Sequence, residues 1–185
     1  MEFININSKT PHIDFYKSFY KYMNNLYKYN QKIIILAIGT DRSTGDSLGP
    51  ITGQKLKLFL RKKADLFGTL DNPIHAKNIN QTIDFIEKNY TDPFIIAIDA
   101  CLGSLNHVGY ISLGSGPIRP GAGVSKDLPP VGNMFVTGIV NISGFMEYIV
   151  LQNTRLNLVM KMADVISFGI FRTINDIYIK NLERA

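Results

Sequence analysis

Apolar residues along the chain fall into two kinds of run. Ile33-Ile34-Ile35-Leu36-Ala37-Ile38 and Phe94-Ile95-Ile96-Ala97-Ile98 are continuous apolar stretches of strand length. That is the pattern of strands in a parallel sheet, where neither face meets water. Elsewhere the apolar positions recur at helical spacing. Phe15, Phe19, Tyr22, Met23 and Leu26 follow Pro11 on one face, which predicts an amphipathic helix packed on the sheet. Ile51, Leu56, Phe59 and Leu60 predict a helix running to about Asp65, and Leu156, Val159, Met160, Ala163, Ile166 and Ile170 mark a buried stripe in a helical region from Ser143 onward. Weaker signals predict a strand around Ile74 to Lys77 and a short helix from an N-cap at Asn80 through Lys88, with Ile79, Ile83 and Ile86 inward. Gly109 to Leu113 and Met134 to Val140 read as further strands, separated by a loop dense in Gly and Pro from Ser115 to Gly123.

The first strands and helices alternate as β-α-β-α-β, the start of a doubly wound sheet with helices on both faces. In such sheets ligands bind beyond the carboxyl ends of the strands, where strand order reverses. Both long apolar runs lead into acidic residues: Asp46 in the loop after the first, and Asp99 immediately after the second. If those strands are neighbours, about 4.8 Å apart, the two carboxylates face one cleft. Paired carboxylates can share a proton, because two adjacent negative charges are costly. One can then activate water while the other protonates a leaving group. A structural reading stands beside this one. With Pro50 in the first turn, Asp46 could cap the following helix, and Asp99 could be a polar strand end.

Composition narrows the choices. At 185 residues the chain is expected to form one α/β domain, residues 1–185, with an N-terminal helical extension at about 1–30. The net charge of +5 is dispersed, and the cluster Arg61-Lys62-Lys63 suits a helix end, so neither nucleic acid nor a membrane is an expected partner. The longest uncharged stretch, Leu128 to Met146, is broken by Pro129, Pro130, Gly132, Gly138 and Gly144, which is wrong for a membrane helix. Cys101 is the single cysteine, and no signal-peptide pattern opens the chain, so a reducing, cytoplasmic setting is expected. Next to Asp99 this thiol is expected to be inert.

The loop from Gly39 to Ser47 is not a phosphate cradle. Five residues separate Gly39 from Gly45, and Asp46 stands where a P-loop carries lysine. Ser43, Ser47 and Ser115 lack the context of a nucleophile elbow. Only His12, His75 and His107 are available as imidazole ligands, so neither a metal nor any other cofactor is expected. His107, in the loop after Asp99, either approaches the cleft or faces solvent.

Three motifs carry a resemblance. Gly45-Asp46-Ser47-Leu48-Gly49-Pro50, Ile96-Ala97-Ile98-Asp99-Ala100 and Arg119-Pro120-Gly121-Ala122-Gly123-Val124, in that order, resemble the sporulation protein YyaC family over about Lys32 to Gly169. More remotely the chain is similar to the spore germination protease and the hydrogenase maturation endopeptidases. This resemblance implies a three-layer α/β/α sandwich with a mostly parallel sheet. It also implies an aspartic-type endopeptidase in which Asp46 and Asp99 are the catalytic pair, acting on small acid-soluble spore proteins without a required metal. Gly45 and Ser47 beside Asp46, and Arg119, Gly121 and Gly123 in the Gly/Pro-rich loop, are then expected to bind substrate. In the hydrogenase enzymes a further histidine joins matching acidic residues to bind nickel, and this chain shows no clear counterpart of it. The alternatives are a non-catalytic peptide-binding or regulatory protein and a metal-dependent maturation-type peptidase. The expected partner is a protein or peptide substrate, with a homo-oligomer a further option.

Overall fold

The apolar runs at Ile33 and Phe94 form the two central strands of a sheet. In the computed structural model, which describes residues 1–61, 63–120 and 128–183, β2 (Ile33–Ala37) and β4 (Phe94–Gly103) lie parallel, with Ile33 opposite Phe94 and Ala37 opposite Ile98. The other strands are β1 (Glu2–Asn5), β3 (Asp65–Phe67), β5 (Tyr110–Ser115) and β6 (Met134–Ile142). The helices are α1 (Pro11–Leu26), α2 (Leu48–Leu56), α3 (Ile79–Asn89), α4 (Glu147–Gln152) and α5 (Leu156–Leu182). The six-stranded sheet has the order β1-β5-β6-β4-β2-β3. From β2 the chain moves outward to β3 and then returns past β2 to β4. Strand order therefore reverses between β2 and β4. Strands β3, β2, β4 and β6 are mutually parallel, whereas β5 runs against β6 and β1 against β5.

The two faces are unequal. On one, Phe15, Phe19 and Met23 of α1 and Val159, Met162, Ala163, Ile166 and Ile170 of α5 join Leu48 and Ile51 of α2 over Ile33, Ile35, Phe94, Ile96 and Ile98. Each of the three α1 side chains is fully buried, a contribution of about 1.5–3 kcal/mol apiece relative to exposure. α1 thus packs its inner face into the core, and β1 adds a strand to the sheet. On the opposite face a smaller cluster joins Leu36, Ile38 and Ala97 to Ile79 of α3 and to Leu128 and Val131. Among the described residues no helix is long and apolar enough to cross a membrane.

Several element boundaries differ from the pattern's expectation. β1 is invisible to it, because only Ile4 of its four residues is buried. α2 ends at Leu56 rather than near Asp65, which instead opens β3. Phe59 extends the helical stripe only in sequence: it lies in a turn and meets Phe171 of α5 at 5.1 Å between ring centroids. The strand expected around Ile74 is a single bridge to Ile38, since Pro73 has no N–H with which to lengthen it. α3 begins at Ile79, so Asn80 is inside it. Asn78 holds the preceding turn, accepting the His75 N–H at 2.8 Å and donating to the Pro73 carbonyl at 3.0 Å. β4 runs past Ile98 to Gly103, which puts Asp99 inside the strand rather than just after it.

Helix α2 sits directly on the end of β2. A Cβ on Gly49 would lie 2.0 Å from the carbonyl oxygen of Ile38, so any side chain there forces helix and strand apart. Gly49→Ala is accordingly expected to lower the free energy of unfolding by about 1–3 kcal/mol or more, measured by urea denaturation.

Candidate functional site

The reversal between β2 and β4 opens a crevice at their carboxyl ends, and the two strands contribute to it differently. β2 stops at Ala37, but β4 continues past the register pair Ala37–Ile98. Successive residues of a strand point to opposite faces, so Asp99 and Cys101 continue the row of Ile95 and Ala97 on the α3 side of the sheet. Where β2 no longer covers them, that row turns from apolar to polar.

The loop after β2 is pinned through its backbone. Gly39, at φ 142°, donates its N–H to the Ile74 carbonyl at 2.7 Å, and the Thr40 N–H reaches the Asp46 carbonyl at 3.1 Å. A Cβ on Gly39 would stand 2.0 Å from that same Asp46 carbonyl oxygen, so only glycine lets the loop close this tightly. The chain then makes one 3-10 turn, Gly45–Ser47, and enters α2. Asp46 does not cap the helix. Ser47 holds the cap position without a side-chain cap bond, and its hydroxyl donates instead to the Thr44 carbonyl at 2.6 Å.

Asp46 and Asp99 both line one cleft of about 570 Å3, together with His75, Cys101, Thr137 and Glu147. Their environments differ. Burial alone holds the Asp46 carboxyl above its ordinary value of 3.8, and among the described residues no hydrogen bond or ion pair reaches this carboxylate. One carboxylate oxygen of Asp99 accepts the N–H of Ala100 at 2.8 Å. Burial, helped by the Asp99 charge and opposed by the Thr137 hydroxyl, pushes the Cys101 thiol up, which keeps it protonated and poorly nucleophilic. Beneath these groups Ser112, Thr137 and Asp99 stand in register across β5, β6 and β4, with the two hydroxyls 2.6 Å apart. The sheet thus supplies a polar floor.

Arg119 also lines the cleft; Gly121 and Gly123 lie outside the described residues. Gly45 and Ser47 are buried and do not line it. A Cβ on Gly45 would meet Leu151 at 2.7 Å and the Thr154 hydroxyl at 3.0 Å, so this glycine seats α4 against the turn that carries Asp46. His107 is elsewhere: it pairs with the Ser104 hydroxyl at 2.9 Å and stacks on Phe3 at 5.7 Å. The histidine on the cleft is His75, brought there by the bridge between Ile74 and Ile38. That pairing is non-local, and nothing in the spacing of the sequence signals it. Glu147 and Tyr148 of α4 are likewise on the cleft, from a helix too short to show a period. Among the described residues no group of three His, Cys, Asp or Glu side chains could hold a metal ion.

The family described as "Protein of unknown function (DUF1256)" matches residues 3–169. The chain belongs to the DUF1256 family. This DUF1256 chain is 56% identical over 141 residues to "Uncharacterized protein YyaC" of Bacillus subtilis (strain 168), covering 76% of the chain and 69% of the relative. The resemblance carried by the three motifs therefore extends through most of the sequence. Among solved structures, the NiFe hydrogenase maturation protease HycI from Thermococcus kodakarensis KOD1 matches with a TM-score of 0.55 at 14% identity, covering 83% of the chain and 98% of that protein. At that identity the likeness is one of fold, and it agrees with the layered, mostly parallel α/β architecture expected for the DUF1256 chain.

Burial of Asp46 has a consequence for stability. A carboxyl whose folded-state pKa lies above its unfolded value favours folding at low pH, and that contribution is lost as pH rises through the folded pKa. Asp46→Asn removes a carboxyl whose ionisation burial opposes, so the variant is expected to melt at a higher temperature than the wild type at about pH 7. The difference should close as the pH falls toward 3.8; thermal unfolding across a pH series measures it.

Proposed function

We propose that the protein is an aspartic-type endopeptidase of sporulating cells, working in the cytoplasm or spore core on spore proteins such as the small acid-soluble class. The observation that carries this reading is the pair of carboxylates in unlike surroundings, Asp46 and Asp99, on one cleft at the switch point of the sheet. A cleft of about 570 Å3 is within the range of sites that hold small ligands or short peptide segments. The fold shared with the maturation protease HycI supports it further.

The roles follow from the surroundings. Asp46, partly buried, keeps its proton to higher pH and serves as the general acid, whereas Asp99, steadied by the Ala100 N–H, serves as the base. Asp99 takes a proton from water as the water oxygen attacks the scissile carbonyl carbon. Asp46 gives its proton to the departing nitrogen as the C–N bond breaks, so the products are an acid and an amine. His75 accepts the Lys77 N–H on Nδ1 at 3.3 Å. In the neutral ring this leaves the proton on Nε2, a donor for a substrate carbonyl on the cleft wall.

Incubating the protein with purified small acid-soluble spore proteins and following cleavage tests this. Asp46→Asn and Asp99→Asn are each expected to slow cleavage by about 10²–10⁴-fold with unchanged circular dichroism. Cleavage is expected to persist in the presence of a chelator. Equal rates in the wild type and both variants would overturn the assignment, and loss with chelator that added metal restores would replace it with a metal-dependent enzyme.

A further inference from the structure

The mouth of the cleft has one apolar wall and one basic wall. Ser143, Glu147 and Tyr148 line the cleft, and between them the chain turns through Gly144 at φ 151° and Met146 at φ 57°. The second is a left-handed conformation that a residue with a side chain seldom adopts. The result is a lip in which Phe145 is 95% exposed, Met146 64% and Tyr148 58%. Its base is firm, because the Asn141 amide donates to the Val150 carbonyl at 3.1 Å and to the Thr154 hydroxyl at 3.2 Å. Leu151, one turn along α4, rests on Gly45, so the lip stands against the turn that positions Asp46.

The basic wall comes from the loops that follow β2 and β3. Arg42 and Lys77 both line the cleft and are exposed. Among the described residues neither forms an ion pair, whereas Lys32, Lys55 and Lys57 each sit on an aspartate at 2.7–3.0 Å. Large apolar side chains gathered in water at a concave site mark a contact surface, and unpaired cations beside them select the charge of what binds. A polyphosphate chain would bring its charges onto Asp46, Asp99 and Glu147, which line the same cleft. A peptide can place acidic groups at the rim and an uncharged backbone over the aspartates.

We infer that the Phe145–Tyr148 lip and the Arg42 and Lys77 wall form a docking surface for an extended protein segment in which bulky apolar residues are flanked by acidic ones. This rests on the reading of the cleft as a peptide site, but it does not require turnover. The lip holds the apolar side chains and the cations hold the carboxylates, leaving the intervening backbone across the cleft.

The test uses the full chain carrying Asp46→Asn, so that cleavage does not consume the probe, and fluorescence anisotropy with three labelled decapeptides. One has Leu-Phe flanked by Glu, one replaces each Glu by Lys, and one replaces Leu-Phe by Ser-Ser. The first is expected to bind about tenfold or more tightly than either of the others. Adding Phe145→Ser with Tyr148→Ser, or Arg42→Glu with Lys77→Glu, should remove that preference with circular dichroism unchanged, and the charge-reversed variant should also lose the salt dependence. Equal binding of the three peptides, no binding of any, or undiminished preference in both double variants would overturn the inference. So would a concentration-dependent dimer in sedimentation that Phe145→Ser dissolves, since a second copy would then own the lip. Selective binding by a protein whose wild type never cleaves would uphold the docking surface and remove the enzyme. Cleavage without selectivity would do the reverse.

Discussion

Backbone against backbone, with no side chain between, is the contact on which this structure depends. Where β2 ends, Gly39 lies beneath the carbonyl of Asp46 and Gly49 lies against the carbonyl of Ile38, each at a separation that a Cβ would reduce to 2.0 Å. Two glycines ten residues apart in sequence thus clamp the start of α2 onto the end of its own strand. The clamp fixes the loop through main-chain atoms, so the carboxylate of Asp46 is not needed to hold it. A side chain freed from structural duty can be kept in a partly buried position where its protonation is easily shifted.

Asymmetry between the two faces of the sheet determines where that position opens. Helices α1, α2 and α5 bury the face carrying Phe94, Ile96 and Ile98, while the face carrying Ile95 and Ala97 has the smaller cluster around Ile79, Leu128 and Val131. Asp99 and Cys101 follow on the thinner face, beyond the reach of β2. Stability is concentrated on one side and access on the other. A register that ends β2 at Ala37 while β4 continues converts a row of core positions into the floor of a cleft.

Much of this was legible in the sequence, and the reasons differ from residue to residue. β2 and the first half of β4 announce themselves because a strand buried on both faces must be apolar throughout. Asp46 and Asp99 stand out because each follows such a run. The overshoot of β4 was not legible: Asp99 follows Ile98 as a strand end would, and the four residues Asp99 to Leu102 are too short a stretch to set a period of their own. His75 was not legible, since one bridge between Ile74 and Ile38 brings it to the site and no local pattern encodes that pairing. β1 escaped notice because a single buried side chain sets no period. Phe59 misled, since it extends the α2 stripe in sequence yet meets α5 from a turn.

The rims of the sheet carry one last implication. β1 offers four residues at one edge and β3 three at the other, and Glu2 and Asp65 at those edges are each tied to a lysine, at 3.2 and 3.0 Å. A neighbouring molecule seeking to add its own strand finds too little ladder to bond and a charge beside it. Crowded copies of the protein are thereby discouraged from polymerising edge to edge.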